Sequence, residues 1–215
     1  MIYAENILLC IAVPLLLSLL FVRGGAMRFI TAFLGGMIAC LLSAYISGYL
    51  YLVTGLTRQD VSIFLSPVVE ESLKFIPPVF ILLVFSPNDR DLMLMAVGIG
   101  VGFATFENIC YLLTEGASSL LFVLIRGLAV GVMHIVSMAT LSIALSIARR
   151  LHALTLPGIL GALSLSVVFH GLYNLLVSAP GVTSYIGYLL PLVSAGFLYI
   201  PCRLLRLGTA EPPQS

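Results

Sequence analysis

Charged residues are scarce in this chain of 215 residues, of which only 9% are Asp, Glu, Lys or Arg. A soluble domain normally carries about 25% charged residues, so these are too few to cover a surface that faces water. The chain is 60% hydrophobic and has a mean hydropathy of +1.16. Lipid must therefore be the solvent for most of it, and the composition predicts an integral membrane protein without a soluble domain.

Long basic runs are also missing. The longest is the Arg149-Arg150 pair, and the net charge is +1. This balance argues against a nucleic-acid partner. No C-x-x-C pair occurs, and the separated cysteines are predicted to be buried free thiols rather than disulfides or a thiolate metal site: Cys10, Cys40, Cys110 and Cys202.

Two common hydrolase motifs are absent. The sequence has no G-x-S-x-G elbow, so a serine hydrolase of that kind is not supported. It also has no H-E-x-x-H pair, which excludes a zincin by pattern. Any hydrolytic activity must therefore use a different set of residues.

Long apolar stretches are abundant. A transmembrane helix needs about 20 apolar residues, and about seven stretches meet this length: 3–22, 29–53, 61–85, 92–113, 119–148, 155–178 and 183–202. The fold class predicted is an all-α, polytopic helical bundle of about seven transmembrane helices. Residues 1–207 are expected to form one domain, and residues 208–215 a short disordered tail.

The arginines between the stretches predict an orientation. Cytoplasmic loops carry an excess of Lys and Arg. With the N-terminus outside and the C-terminus in the cytoplasm, the outer connections hold only Arg58. The inner side then holds the other loop arginines: Arg23, Arg28, Arg90, Arg149, Arg150, Arg203 and Arg206.

Glycines recur at the four-residue spacing that lets helix backbones approach closely in lipid. The pairs are Gly98 with Gly102 and Gly127 with Gly131, and Gly158 has Ala162 at the same spacing. We expect all of them to serve ordinary helix packing.

Five charged side chains lie well inside the predicted spans: Glu70, Glu71, Lys74, Glu107 and Arg126. Each costs about 2.5–3.5 kcal/mol at a helix centre, so they must be paired, solvated by a cavity or neutralised. At ~1.5 Å per residue, Glu70, Glu107 and His170 lie ~10–14 Å from the outer ends of their spans. His134 reaches the same depth if Arg126 extends to the outer interface. Four helices thus converge on one layer in the outer half of the membrane.

Helical spacing indicates which side chains share a face. Glu70 and Lys74 are four residues apart, which predicts that they pair. His170 and Asn174 have the same spacing.

Prolines flank the glutamate pair. Pro67 precedes it, and Pro77 and Pro78 follow it. Proline removes a backbone donor and bends a helix, so we expect a bent helix beside a water-filled pocket. Adjacent carboxylates with histidines in such a pocket can activate a water molecule and stabilise the oxyanion formed at a peptide carbonyl.

Four segments resemble, in chain order, the motifs of the PrsW intramembrane proteases. The family patterns are E-E-x-x-K, F-x-x-x-E-N, a lone His, and H-x-x-x-N or D. The matching residues are Glu70, Glu71 and Lys74, then Phe103, Glu107 and Asn108, then His134, then His170 and Asn174. The family is distantly related to the CAAX prenyl endopeptidases, which share the leading glutamate pair and the last motif.

The resemblance implies a glutamate-dependent intramembrane endopeptidase. In PrsW the target is an anti-sigma factor cut on its extracytoplasmic side, which agrees with the depth derived above. It implies a single-span membrane protein as substrate and a bacterial or archaeal cell membrane as location. The second CAAX motif ends in His, whereas this chain has Glu107 and Asn108, so His134 is the residue expected to supply that histidine.

Five residues are the predicted catalytic set. Glu70 is assigned as general base, with Glu71 orienting the pocket or sharing the water. His134 is expected to polarise the water or bind the second carboxylate. His170 and Asn174 are expected to form the oxyanion pair.

Four residues have predicted supporting roles. Lys74 holds the general base ionised, and Glu107 orients a histidine. Arg126 neutralises one carboxylate, although a purely structural bridge between Glu107 and Arg126 is an equal alternative. Asn108 satisfies hydrogen bonds between helices.

Two other functions remain open at this stage. No cofactor is required by the glutamate mechanism, but Glu70, Glu71, His134 and His170 are also a candidate ligand set for zinc or another divalent metal. A proton-coupled transporter also uses intramembrane carboxylates and histidines. Against a transporter, no clear inverted repeat is visible and the chain is short for alternating access.

Overall fold

Helices make up nearly all of the chain that the computed structural model describes, namely residues 4–116, 119–152 and 156–204. In order they are α1 (Ala4–Ser18), α2 (Gly24–Thr54), α3 (Arg58–Asp60), a π-helical turn (Val61–Leu65), α4 (Ser66–Phe85), α5 (Asp89–Glu115), α6 (Leu120–Arg150), α7 (Leu156–Ser178) and α8 (Val182–Leu204). No strand occurs in these ranges, which confirms the all-α prediction. The predicted tail, Arg206 and Cys202's side chain lie outside the described part.

Within the described ranges, five helices are long and apolar enough to cross a membrane: α2, α5, α6, α7 and α8. They confirm an integral membrane protein. Helix α1 has 15 residues and ends at Ser18, earlier than the predicted residue 22. Helix α4 has 20 residues but contains Glu70, Glu71 and Lys74. The count of seven spans and the orientation of the termini therefore stay predictions.

Glycines set the closest helix crossing, between α2 and α5. A Cβ atom on Gly102 would lie 1.9 Å from the carbonyl oxygen of Phe33, and one on Gly36 would lie 2.1 Å from that of Ile99. Only glycine permits such an approach. The packing role predicted for the Gly98 and Gly102 pair is thus confirmed.

A second glycine fixes α5 against α6. A Cβ atom on Gly100 would lie 2.8 Å from the carbonyl oxygen of His134. By contrast, nothing lies within 4 Å of the Cβ positions of Gly127 and Gly131. The packing role predicted for that pair is wrong for the described residues.

The distortion near Pro67 is a π-helical turn rather than a break. Thr57 begins the segment with a capping box to Asp60. The π turn follows, and Pro67 comes at the start of α4, which runs through Pro77 and Pro78 to Phe85. Proline has no N–H to donate to the preceding turn, and π-helical turns accommodate such irregularities.

Ion pairs gather at one end of the bundle. Arg28 lies 3.0 Å from Asp91, and Asp89 pairs with both Arg149 and Arg150. These contacts tie the starts of α2 and α5 to the end of α6. This is the end where the arginine pattern predicts the cytoplasm.

Candidate active site

Side chains from four helices form one connected polar cluster in the bundle. Helix α4 supplies three of them, and α5, α6 and α7 supply the others. The rings of His134 and His170 lie 5.2 Å apart, nearly perpendicular to each other. One ligand atom from each of Glu70, His134 and His170 lies within 4.8 Å of the others. The four-helix convergence predicted from depth is therefore present.

Glu71 lies at the centre of this cluster and is almost completely buried. Its Oε1 accepts hydrogen bonds from Lys74 Nζ at 2.6 Å and from His170 Nδ1 at 2.7 Å. Its Oε2 accepts one from Ser137 Oγ at 2.6 Å. Both oxygens are thus occupied by protein donors.

The predicted pair of Glu70 with Lys74 is wrong. Lys74 instead pairs with Glu71, three residues earlier. Residues three and four apart both lie on one helix face, so the spacing allowed either partner. The rotation of α4 decides between them, because it turns Lys74 and Glu71 into the bundle and leaves Glu70 lining a pocket.

His134 has both ring nitrogens engaged. Lys74 Nζ lies 2.8 Å from Nδ1, and Glu107 Oε2 lies 2.7 Å from Nε2. A lysine ammonium group can only donate, so we assign Nδ1 as acceptor and Nε2 as the protonated nitrogen. Phe103 shields this contact, because its ring lies 4.6 Å from Lys74 Nζ.

Arg126 continues the chain of contacts from Glu107. Its Nη2 lies 3.3 Å from Glu107 Oε1. Its guanidinium carbon lies 3.4 Å from the centre of the Tyr111 ring. The cation therefore has an anionic and an aromatic partner, both on α5.

Glu70 differs from Glu71 in facing open space. Its Oε2 lies 3.8 Å from His170 Nε2. This is too long for a direct hydrogen bond but short enough for a bridging water. It lines a cavity of about 380 Å³.

The cavity is bordered by the polar groups of six elements. Its lining includes Glu70, Glu107, Arg126, His170 and Asn174, together with the hydroxyl-bearing residues Ser62, Ser66, Tyr111, Tyr173, Ser178 and Tyr188. It therefore holds both acidic and donor groups around one space.

Asn174 lies in the cavity wall, and its amide group bonds to the backbone. Its Nδ2 donates to the carbonyl oxygen of Ser62, in the π-helical turn, at 2.9 Å. Asn108 is not among the residues that line this cavity. Its Oδ1 is buried without a hydrogen-bond partner among the described residues, so its predicted role between helices is not supported there.

Sequence reasoning missed Ser137 and the tyrosines. Ser137 follows His134 by three residues, so it shares a face with it, and that spacing was a usable signal. Tyr173 lies one residue before Asn174 in the last motif. Tyr188 lies near the start of the last predicted span, and no sequence signal distinguishes it from the other tyrosines near span ends.

One family model matches most of the chain. The family model described as PrsW family intramembrane metalloprotease matches residues 22–200. The chain belongs to the PrsW family. It is therefore an intramembrane protease that hydrolyses peptide bonds of membrane proteins, which confirms the resemblance and leaves the transporter alternative without support. Comparisons with curated proteins and with solved structures returned no significant match.

The family description names a metalloprotease. The residues of the polar cluster can therefore be compared with what a metal site requires. A hydrolytic zinc usually has three protein ligands, and a ligating histidine usually donates its other N–H to a carboxylate. His170 fits this arrangement through Glu71, and Glu70 lines the cavity. Lys74 and Glu107 engage the two nitrogens of His134, so a metal bound to His134 would have to displace one of them. With that exchange, Glu70, His134 and His170 are a candidate set of three ligands, whose ligand atoms lie within 4.8 Å of one another.

Proposed function

We propose that this PrsW protease is of the glutamic type, with Glu70 as general base. The observation that supports it most is the contrast between the two adjacent glutamates. Glu71 is buried and accepts three hydrogen bonds, whereas Glu70 faces the cavity at 3.8 Å from His170. A general base must reach both water and substrate, and the cavity-lining Glu70 meets this requirement better than the buried Glu71.

Hydrolysis in this scheme begins with a water held between Glu70 and His170. Glu70 takes a proton from that water, and the hydroxide attacks the peptide carbonyl carbon. The imidazolium form of His170 donates from Nδ1 to Glu71 and from Nε2 to the oxyanion. Glu70 then returns its proton to the leaving amine as the carbon–nitrogen bond breaks.

Two neighbours complete the scheme. Asn174 adds a second oxyanion donor when its amide leaves the carbonyl of Ser62. His134 does not touch the water in this proposal. It connects Lys74 to Glu107 and so fixes the wall of the site.

The proposed side of cleavage is extracytoplasmic. The cavity reaches Ser62, Tyr111 and Ser178. Each of these residues lies near the end of its helical segment that is opposite to the arginine-rich end of the bundle. Under the positive-inside rule that arginine-rich end faces the cytoplasm. The proposed substrate is a single-span regulator of the anti-sigma factor type, in a bacterial or archaeal membrane.

A proteoliposome assay tests the base. The probe is a library of synthetic single-span peptides whose outer junction sequence varies. Glu70→Gln is expected to lower the cleavage rate by roughly 10²–10⁴-fold, the contribution of a general base. Glu5→Gln, an exposed glutamate of α1, is the matched control and should cleave normally. Full proteolysis by the Glu70→Gln variant would exclude the scheme.

A metal-dependent protease is the second candidate, because ligand atoms of Glu70, His134 and His170 lie within 4.8 Å of one another. Metal analysis of the purified protein separates the two. Stoichiometric zinc together with loss of cleavage in a chelator would favour the metal. Cleavage that continues in metal-free, chelator-treated protein would favour Glu70.

A further inference from the structure

A second cavity lies on the lipid-facing side of the bundle, between α6 and α8. It measures about 270 Å³ and its lining is almost entirely apolar. Helix α6 contributes Ile125, Leu128 and Ala129, and α8 contributes Leu189 and Leu192 among others. Leu128 and Leu189 are more than half exposed, at 54% and 56%, so in a bilayer this cleft opens to the acyl chains.

Tyr188 separates this cleft from the active-site cavity, since it lines both. Its ring packs against the buried cluster of Ala129, Val130, Met133 and Tyr173. It therefore lies between the lipid-facing cleft and the cavity that contains Glu70.

Helix α8 packs against both of its neighbours. Gly187 lets it approach α7, because a Cβ atom there would lie 2.8 Å from the backbone nitrogen of Val177. On α6, Leu190 packs against the cluster that contains Ala129, and Leu198 packs against the cluster that contains Ala139. The cleft therefore occupies only one part of the contact between α6 and α8, next to Tyr188.

We propose that the cleft between α6 and α8 binds the transmembrane segment of the substrate and delivers its scissile bond past Tyr188. This rests on the proposed function and adds where the substrate docks. An apolar segment fits the lining, since five of its seven residues are Leu, Ile or Ala and the other two are Tyr185 and Tyr188. A helical peptide bond has its polar groups paired internally, so the segment must unwind to be cut, and the hydroxyl groups of the cavity can then bond to its backbone.

Photo-crosslinking tests the docking without requiring cleavage. A benzophenone amino acid replaces Leu189 in the cleft or, as control, Leu172 of α7, which is also exposed, at 43%, and lines neither cavity. Both carry Glu70→Gln to prevent turnover. The probe is a fluorescent Ala/Leu peptide of about 20 apolar residues in phosphatidylcholine vesicles.

The proposal expects a crosslinking yield at Leu189 that exceeds that at Leu172 by roughly fivefold or more, as a site preference of about 1 kcal/mol gives. Unlabelled peptide should compete for the signal. Leu128→Trp, which fills the cleft, should lower the Leu189 yield to that of the control. Equal yields at the two positions would mean random collision in the bilayer and would overturn the docking site.

The two proposals fail separately. If Leu189 crosslinks selectively while Glu70→Gln cuts junction peptides as fast as the wild-type chain, docking stands and the Glu70 mechanism fails. If peptides are cut with dependence on Glu70 while the yields are equal, the mechanism stands and this docking surface is wrong.

Discussion

Replacing Ser137 with alanine should destabilise the protein much more than the same change at Ser142. Both serines lie on α6 and are fully buried. Ser137 Oγ donates to Glu71 Oε2 at 2.6 Å, whereas Ser142 Oγ is buried without a hydrogen-bond partner among the described residues. The pair therefore compares one hydroxyl group that bonds a buried carboxylate with one that bonds nothing.

The magnitude follows from what Glu71 loses. Its Oε1 keeps Lys74 and His170, but Oε2 loses Ser137, the donor seen there. A hydrogen bond to a charged group contributes about 1.5–3 kcal/mol, or roughly 10- to 140-fold in the unfolding equilibrium. The bond that Ser166 donates to the carbonyl of Ser137 uses the backbone and survives. Ser142→Ala removes an unsatisfied group, so stability should stay equal or rise.

Unfolding in mixed detergent, titrated with sodium dodecyl sulfate and followed by circular dichroism, measures both variants. Hydrogen bonds between membrane helices average ~0.6 kcal/mol in double-mutant cycles. A loss for Ser137→Ala below that average, or a loss equal to that of Ser142→Ala, would refute the assignment of Ser137 as a donor that stabilises the carboxylate.

Two further predictions use the same titration. Lys74→Met should lower the free energy of unfolding by about 3–5 kcal/mol, because it leaves the buried Glu71 without its cation. A loss no larger than that of Ser137→Ala would show that the ion pair contributes no more to stability than a single hydrogen bond. Gly102→Ala should lower it by about 1–3 kcal/mol, because its Cβ would lie 1.9 Å from the Phe33 carbonyl oxygen. The control Gly127→Ala has open space and should be neutral or stabilising by up to about 1 kcal/mol, so equal effects of the two alanines would contradict the α2–α5 crossing.

Hydropathy located most helices but not all of their ends. The fourth predicted span, 92–113, lies inside α5 (Asp89–Glu115) because the structure extends it to the cap of Asn88. The first predicted span, 3–22, is longer than the helix that forms there. The apolar run continues to Val22, but α1 ends at Ser18 and is followed by tight turns at Leu19–Phe21. An apolar side chain can face lipid from a helix or from a turn, so hydropathy does not show where the helix ends.

The members of the polar cluster were visible in the sequence, but their pairing was not. Depth along each span brought Glu107, His134 and His170 to one layer, because the rise per residue is fixed. The choice of Glu71 rather than Glu70 as partner of Lys74 depends on the rotation of α4 about its axis. That rotation is set by packing against other helices, so it cannot be predicted from the residue spacing within α4 alone.

The contact of Asn174 shows a second limit. Its amide bonds the carbonyl of Ser62, which belongs to the π-helical turn before Pro67. The proline predicted a local irregularity, but an added residue in one turn changes which carbonyl faces the neighbouring helix. The motif therefore identifies Asn174 in the sequence, whereas its hydrogen-bond partner follows only from the three-dimensional structure.

The charges of the cluster suggest why two adjacent glutamates are needed. Three carboxylates, Glu70, Glu71 and Glu107, meet two basic side chains, Lys74 and Arg126, so one carboxylate has no such partner (3 − 2). Lys74 lies against Glu71 and Arg126 against Glu107, which leaves Glu70 with His170 as its neighbour at 3.8 Å. A buried charge is stable only when it is paired. In the proposed mechanism, Glu71 therefore takes the lysine that would otherwise pair with Glu70, and Glu70 keeps the open side that a general base needs.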